Sequence, residues 1–155
     1  MNDSVKGVVA PSSDPIEMLI SRIVEHEGMK KFAYKDTMGY ITVGIGRCLQ
    51  DGVGKGLSTD ECFFLLKNDI ADFRGQLSVY PWFKCQDDVR QNALIELCFN
   101  MGLSHLLQFK NTLDALGRKN YPEAAKELLS SKWAQQVGKA RSEDIAYRIS
   151  VGRYK

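Results

Sequence analysis

The sequence predicts an α+β fold, mainly α, in which a small β-hairpin lobe is joined by a long helix to a larger helical lobe. Three observations carry that prediction. Apolar residues recur at helical spacing in Ile16, Leu19, Ile20 and Ile23, and again along Cys62, Leu66, Ile70, Phe73 and Leu77. Between these stretches the alternation has a period of two, on either side of the turn-forming Asp36-Thr37-Met38-Gly39. The chain of 155 residues, 44% hydrophobic and 26% charged, is large enough to bury one core.

Residues 1–14 contain Gly, Ser and Pro and few large apolar groups, and read as a flexible N-terminal arm. The remaining domain, residues 15–155, has a β lobe at about 29–57 and a helical lobe at about 58–155 to which the first helix is added. Asp14 is placed to cap that helix, with Pro15 in its first turn and Glu17 completing a capping box. Gly28 is placed to end it, so Glu27 falls near its last residue and on its apolar stripe. Phe32–Lys35 forms a strand and Tyr40–Gly46 the return strand, with Ile41, Val43 and Ile45 on one face. The other face carries Tyr40, Thr42, Gly44 and Gly46, bare enough for another molecule to approach the backbone. A Gly-rich loop follows. Ser58 and Glu61 form a second capping box, which opens a long amphipathic helix. Residues 89–101 are apolar nearly all round, as in a central buried helix. Shorter helices follow Asn111 and Asn120, and another crosses the last fifteen residues.

Composition excludes several classes. No apolar run reaches the roughly 18 residues of a membrane span, so no stable membrane anchor is expected. No apolar segment of a secretory signal opens the chain. The expectation is synthesis in the cytoplasm, as a monomer. Cys48, Cys62, Cys85 and Cys98 include no closely spaced pair, and each has apolar neighbours, so reduced and mostly buried thiols are expected. His26 and His105 are far apart and lack the company of metal ligands. Neither a metal nor an organic cofactor is expected. The segment from Lys132 to Lys155 carries a net charge of +4, and the rest of the chain −2. A basic end favours an anionic partner. No motif or aromatic platform accompanies it, so nucleic acid is not expected.

Three polar residues stand out by position: Glu27 at a helix end, Asp36 in a turn and Thr42 on the bare strand face. Cleaving a glycosidic bond needs an acid to protonate the leaving oxygen and a second group to hold or deprotonate water. A carboxyl on an apolar stripe is partly desolvated, which favours the protonated form of a general acid. A carboxylate in an open turn stays ionised and can orient water. On the residues alone, the plainer readings stay open: a solvated helix end, a turn former and a strand filler.

The stretch His26-Glu27-Gly28, then Tyr34 to Gly46, resembles the signature of the phage-type lysozymes. In that signature a Glu is followed after eight residues by Asp or Cys, and after five more by Thr; Glu27, Asp36 and Thr42 keep this spacing. Phe99-Asn100-Met101-Gly102 resembles the family's central-helix motif. Phe109 to Leu113, Ser131-Lys132-Trp133 and Arg141 are similar to its C-terminal half. The resemblance implies a lysozyme-like fold and a muramidase acting on peptidoglycan strands without a cofactor. Glu27 would be the acid, with Asp36 and Thr42 positioning water for inversion. It further implies that Arg141 supports the catalytic glutamate, and that Cys48, Phe99 and Thr112 contact sugar. Core packing at Phe99 and Cys48 and a helix cap at Thr112 are the alternatives. An enzyme of this kind would act on periplasmic peptidoglycan with the help of a separate holin.

Departures from the pattern stand at Arg47, where relatives often carry His, and at Glu127, in place of an expected sugar-contacting Asn. Two rivals share the candidate residues. One is a wall-binding module that has lost catalysis. The other is a lytic transglycosylase, which ends in a 1,6-anhydro sugar; Asp36 with Thr42 favours hydrolysis over it.

Overall fold

The computed structural model describes residues 14–155, so most of the arm expected over residues 1–14 lies outside the described residues. Contacts between Cα atoms divide the chain into two compact units that meet between Cys62 and Phe63.

In the first unit, α1 spans Pro15–Glu27. Asp14 caps it as predicted, its carboxylate accepting from the Ile16 N–H at 2.8 Å. Gly28 ends it with φ +70°, its N–H donating to Val24 O at 2.9 Å. Strands β1 (Lys30–Lys35), β2 (Ile41–Gly44) and β3 (Arg47–Cys48) form an antiparallel sheet in that order. The predicted return strand, Tyr40–Gly46, is thus shorter: β2 ends at Gly44, and residues 45–46 turn the chain into β3, which was not predicted. Gly44 and Gly46 adopt positive φ, +67° and +73°, a region that sharply turns the chain and ends the alternation. The face assignment also changes. Thr42 is buried, 3% exposed, because it sits on the central strand between Tyr34 of β1 and Cys48 of β3, while Ile41 and Ile45 are exposed. The face expected to be bare is covered at Thr42.

The loop from β3 to α2 (Thr59–Leu77) is closed by Arg47. Its guanidinium donates to Glu61 through two nitrogens, at 2.7 and 3.1 Å, and to Gly56 O at 3.0 Å. Glu61 completes the predicted capping box with Ser58, accepting from its N–H at 2.8 Å while Ser58 Oγ accepts from Glu61 N–H at 3.2 Å. Hydrogen bonding from Ser58, followed by Arg47, holds the Glu61 carboxyl below its ordinary range.

The second unit is helical: α3 (Pro81–Lys84), α4 (Asp88–Met101), α5 (Leu103–Leu106), α6 (Lys110–Gly117), α7 (Tyr121–Leu129), α8 (Lys132–Val137) and α9 (Lys139–Val151) follow α2. Its core gathers Leu94, Leu97 and Cys98 of the predicted central helix α4 with Leu116, Leu128, Ile145 and Ile149. The cysteine expectation is corrected here. All four thiols are free, but Cys62 and Cys85 are exposed and Cys48 is half-buried, leaving Cys98 as the buried one. Cys62 lies in α2 and Cys85 directly follows α3, both at uncovered positions. Burial pushes the Cys98 thiol up to about 11.

Two buried arginines tie helices together. Arg90 donates through Nε to Ile149 O at 2.6 Å and through Nη2 to Ser150 O at 3.0 Å, gripping the end of α9. It also pairs with Asp87, and its guanidinium stacks 3.5 Å from the centroid of the Tyr121 ring. A Cβ on Gly152 would overlap that guanidinium, so glycine is needed there both for space and for φ +70°. Arg148 bridges Glu96 at 2.5 Å and Asp144 at 3.0 Å.

Candidate active site

The first unit brings together the end of α1 and the turn leaving β2. A Cβ on Gly46 would lie 3.3 Å from Glu27 Oε2 and 3.7 Å from its Cδ, so the carboxyl group rests on the bare Gly46 backbone. Any side chain there would press on it. Glu27 itself is exposed, and the stripe it shares with Ile16, Leu19, Ile20 and Ile23 is not covered by the sheet of its own unit. The desolvation expected from that stripe is thus not supplied within this unit.

Asp36 is fixed by the turn it forms. Its Oδ1 accepts from Met38 N–H at 2.8 Å and Tyr40 N–H at 2.9 Å, while Gly39, at φ +83°, closes the turn through its N–H to Asp36 O at 3.0 Å. Oδ2 accepts no hydrogen bond from the described residues, and Asp36 is half-buried. Thr42 stands on the strand that leaves the same turn. Its hydroxyl donates to Tyr40 O at 3.3 Å rather than to Asp36, which leaves its lone pairs as acceptors.

The other predicted residues have separate settings. Cys48 lies in β3, where the loop is held against it: Gly56 N–H donates to Cys48 O at 3.2 Å, and a Cβ on Gly54 would overlap the same carbonyl. Phe99, Thr112 and Arg141 belong to the second unit. Phe99 is half-exposed at the edge of a cleft of about 490 Å³, meeting Phe73 edge-on at 6.3 Å, so it is not core as its alternative reading held. Thr112 is buried in the first turn of α6 and lines a polar cleft of about 280 Å³ with Gln108, Asn111, Glu127 and Ser130. Glu127 accepts from Asn111 Nδ2 there at 3.2 Å. Arg141 is exposed in the first turn of α9. Sequence reasoning missed Gly46 as a neighbour of Glu27; the signal available was the pair of glycines that follows Thr42. Among the described residues no group of three His, Cys, Asp or Glu side chains is placed to hold a metal ion.

Residues 24–148 match the family model described as phage lysozyme. The chain belongs to the phage lysozyme family. Among curated relatives of this family member, the Probable T4-type lysozyme 1 of Dictyostelium discoideum is 30% identical, over 81% of this chain and 89% of the relative. The Probable T4-type lysozyme 2 of the same organism is 28% identical over 83% and 91%. The pre-baseplate central spike protein Gp5 of Enterobacteria phage T4 is 26% identical over 92% of this chain but 29% of that protein. As a phage lysozyme the chain is a glycoside hydrolase of the muramidase type, with peptidoglycan as its substrate.

Proposed function

We propose that Glu27 is the general acid that protonates the leaving oxygen of the β-1,4 bond from N-acetylmuramic acid to N-acetylglucosamine, while Asp36 and Thr42 hold the attacking water. The observation that carries this reading is the seating of the Glu27 carboxyl on Gly46, in the sheet whose first turn presents Asp36. Asp36 has one oxygen committed to the turn and the other free, so it can orient or deprotonate a water while staying fixed. The Thr42 oxygen, with its proton directed to Tyr40 O, serves as a second acceptor for that water. Both groups then direct lone pairs at the water, rather than bonding to each other.

A carboxylate that holds water favours single displacement, with inversion and an α product formed first from the β-linked chain. A lytic transglycosylase needs no second water-holding group, so the free Asp36 oxygen favours hydrolysis over it. Arg141 is assigned a supporting role toward the acid, and Cys48, Phe99 and Thr112 contacts to the glycan. The wider role is lysis of bacteria by a monomer made in the host cytoplasm, which reaches periplasmic peptidoglycan through a separate holin.

Glu27→Gln tests the assignment. The variant should keep the wild-type circular dichroism spectrum and wall binding while lysis falls by at least about 10²-fold, the low end for general acid catalysis. Wild-type-like lysis would remove Glu27 from the chemistry. Proton NMR of the first reducing end tests the stereochemistry, and a β anomer appearing first would rule out the water-holding role of Asp36 and Thr42.

A further inference from the structure

Strand β1 carries a feature that cleaving a glycan does not require. Lys30 pairs with Gly44 and Tyr34 with Thr42, so four residue steps of β1 oppose two of β2. Extended chain covers about 13 Å in four steps and about 7 Å in two. Residues 31–33 must therefore bulge out of the ladder. The bulge is tight at its base, where Lys30 Nζ lies 3.9 Å from the centroid of the Tyr34 ring. Phe32, at its middle, is 86% exposed, the most exposed large apolar side chain among the described residues. Water gains nothing from an aromatic ring held out on a protruding backbone, so a surface that accepts the ring is its natural complement.

The neighbouring residues define that surface. Lys30, Lys31 and Lys35 are all exposed, none is in an ion pair with a described residue, and no acid interrupts residues 28–35. Met29, just before the bulge, is 62% exposed. We propose that this bulge is a peripheral contact for an anionic lipid surface, with Phe32 entering the boundary between headgroups and acyl chains and the lysines meeting lipid phosphates. An apolar tip flanked in sequence by exposed lysines that form no ion pair with a described residue is the pattern of interfacial membrane binding. A glycan fits less well: sugar hydroxyls need paired donors and acceptors, and residues 28–35 offer no amide or carboxylate side chain. The mode is surface attachment, since no described helix is long and apolar enough to cross a membrane. The contact lies outside the residues assigned to catalysis and adds a function to them: it would hold a wall hydrolase at the bilayer that borders its substrate.

The test is sedimentation of the full chain with vesicles. Phosphatidylglycerol-rich vesicles should retain it, and pure phosphatidylcholine vesicles should not. Phe32→Ser should lower partition about tenfold, which corresponds to losing part of one buried aromatic side chain. Lys31→Glu should lower it at least about fivefold. A Phe32→Trp variant gives an independent reading: its added fluorescence should shift to the blue with anionic vesicles alone. Hydrolysis of soluble glycan fragments by Phe32→Ser should equal that of the wild type, which keeps this test separate from that of Glu27. Equal uptake by both kinds of vesicle, or wild-type partition of Phe32→Ser, would overturn the proposal. So would Phe32-dependent binding to isolated, lipid-free wall, which would make the bulge a glycan contact.

Discussion

Replacing Gly46 with alanine perturbs the candidate acid without touching it in sequence. Two effects separate cleanly. Gly46 has φ +73°, where an alanine costs about 1–2 kcal/mol relative to its ordinary backbone. For a chain of this size that is a fall in Tm of about 2–8 °C. The added Cβ would also stand 3.3 Å from Glu27 Oε2, inside comfortable carbon–oxygen contact, so the carboxyl must retreat by a few tenths of an ångström. Glu27 is exposed and can move at little cost in stability, so this second effect falls on the chemistry. A misplacement of about 1 Å costs on the order of 10²-fold in rate, and a few tenths should therefore cost about three- to tenfold in kcat. Gly44→Ala is the matched control, because Gly44 has φ +67° but no heavy atom within 4 Å of its added Cβ. It should lose similar stability and keep most of its activity. Initial rates of turbidity loss on outer-membrane-permeabilised cells, beside thermal melts, measure both quantities. If the two variants lose activity in proportion to stability alone, the contact between Gly46 and Glu27 has no part in positioning the acid.

Arg90→Met should destabilise the chain by about 3 kcal/mol, since Ile149 O and Ser150 O lose their donors and Asp87 its partner; a urea midpoint lowered by less than that of a surface substitution would refute the clamp. Asp87 predicts an acid limb. Burial pushes its carboxyl up, but the Arg90 N–H, guanidinium and charge outweigh this and hold it below 3.8. A depressed folded value adds stability that is full above 3.8 and is lost as pH falls below 3.8 and through the lower folded value, so the gap in urea midpoint between wild type and Asp87→Asn should shrink as pH is taken from neutral to below 3.8. Native alkylation with iodoacetamide, read by mass spectrometry, should modify Cys62 and Cys85 first and Cys48 more slowly. Cys98, buried and with its thiol near 11, should react only after unfolding.

The parts legible in the sequence were those governed by neighbours within a few residues. Asp14 and Gly28 mark the ends of α1, Ser58 and Glu61 open α2, and Asp36 with Gly39 makes the turn between β1 and β2. Each acts through a hydrogen bond or a φ value set locally. The central helix was legible because Ala93, Leu94, Ile95, Leu97 and Cys98 crowd apolar residues into its middle, and all five are buried. Helices α3, α5 and α8, of four to six residues, were not: fewer than two turns give no period to detect. The bulge in β1 was also hidden, since its register depends on which residues of β2 stand opposite.

The candidate site divides along the same line. The sequence by itself determined the family signature, the order of its elements and the spacing of Glu27, Asp36 and Thr42 along the chain. Only the tertiary structure decided that Gly46 backs the Glu27 carboxyl, that Thr42 is covered and donates to Tyr40, and that Arg47 serves its loop by gripping Glu61. It likewise decided which cysteine is buried and that Arg90 grips the end of α9, sixty positions away at Ser150. The physical reason is range. Caps and turns are satisfied by atoms a few bonds away, whereas burial, register and the partner of a long side chain depend on surfaces that meet only after the chain has folded.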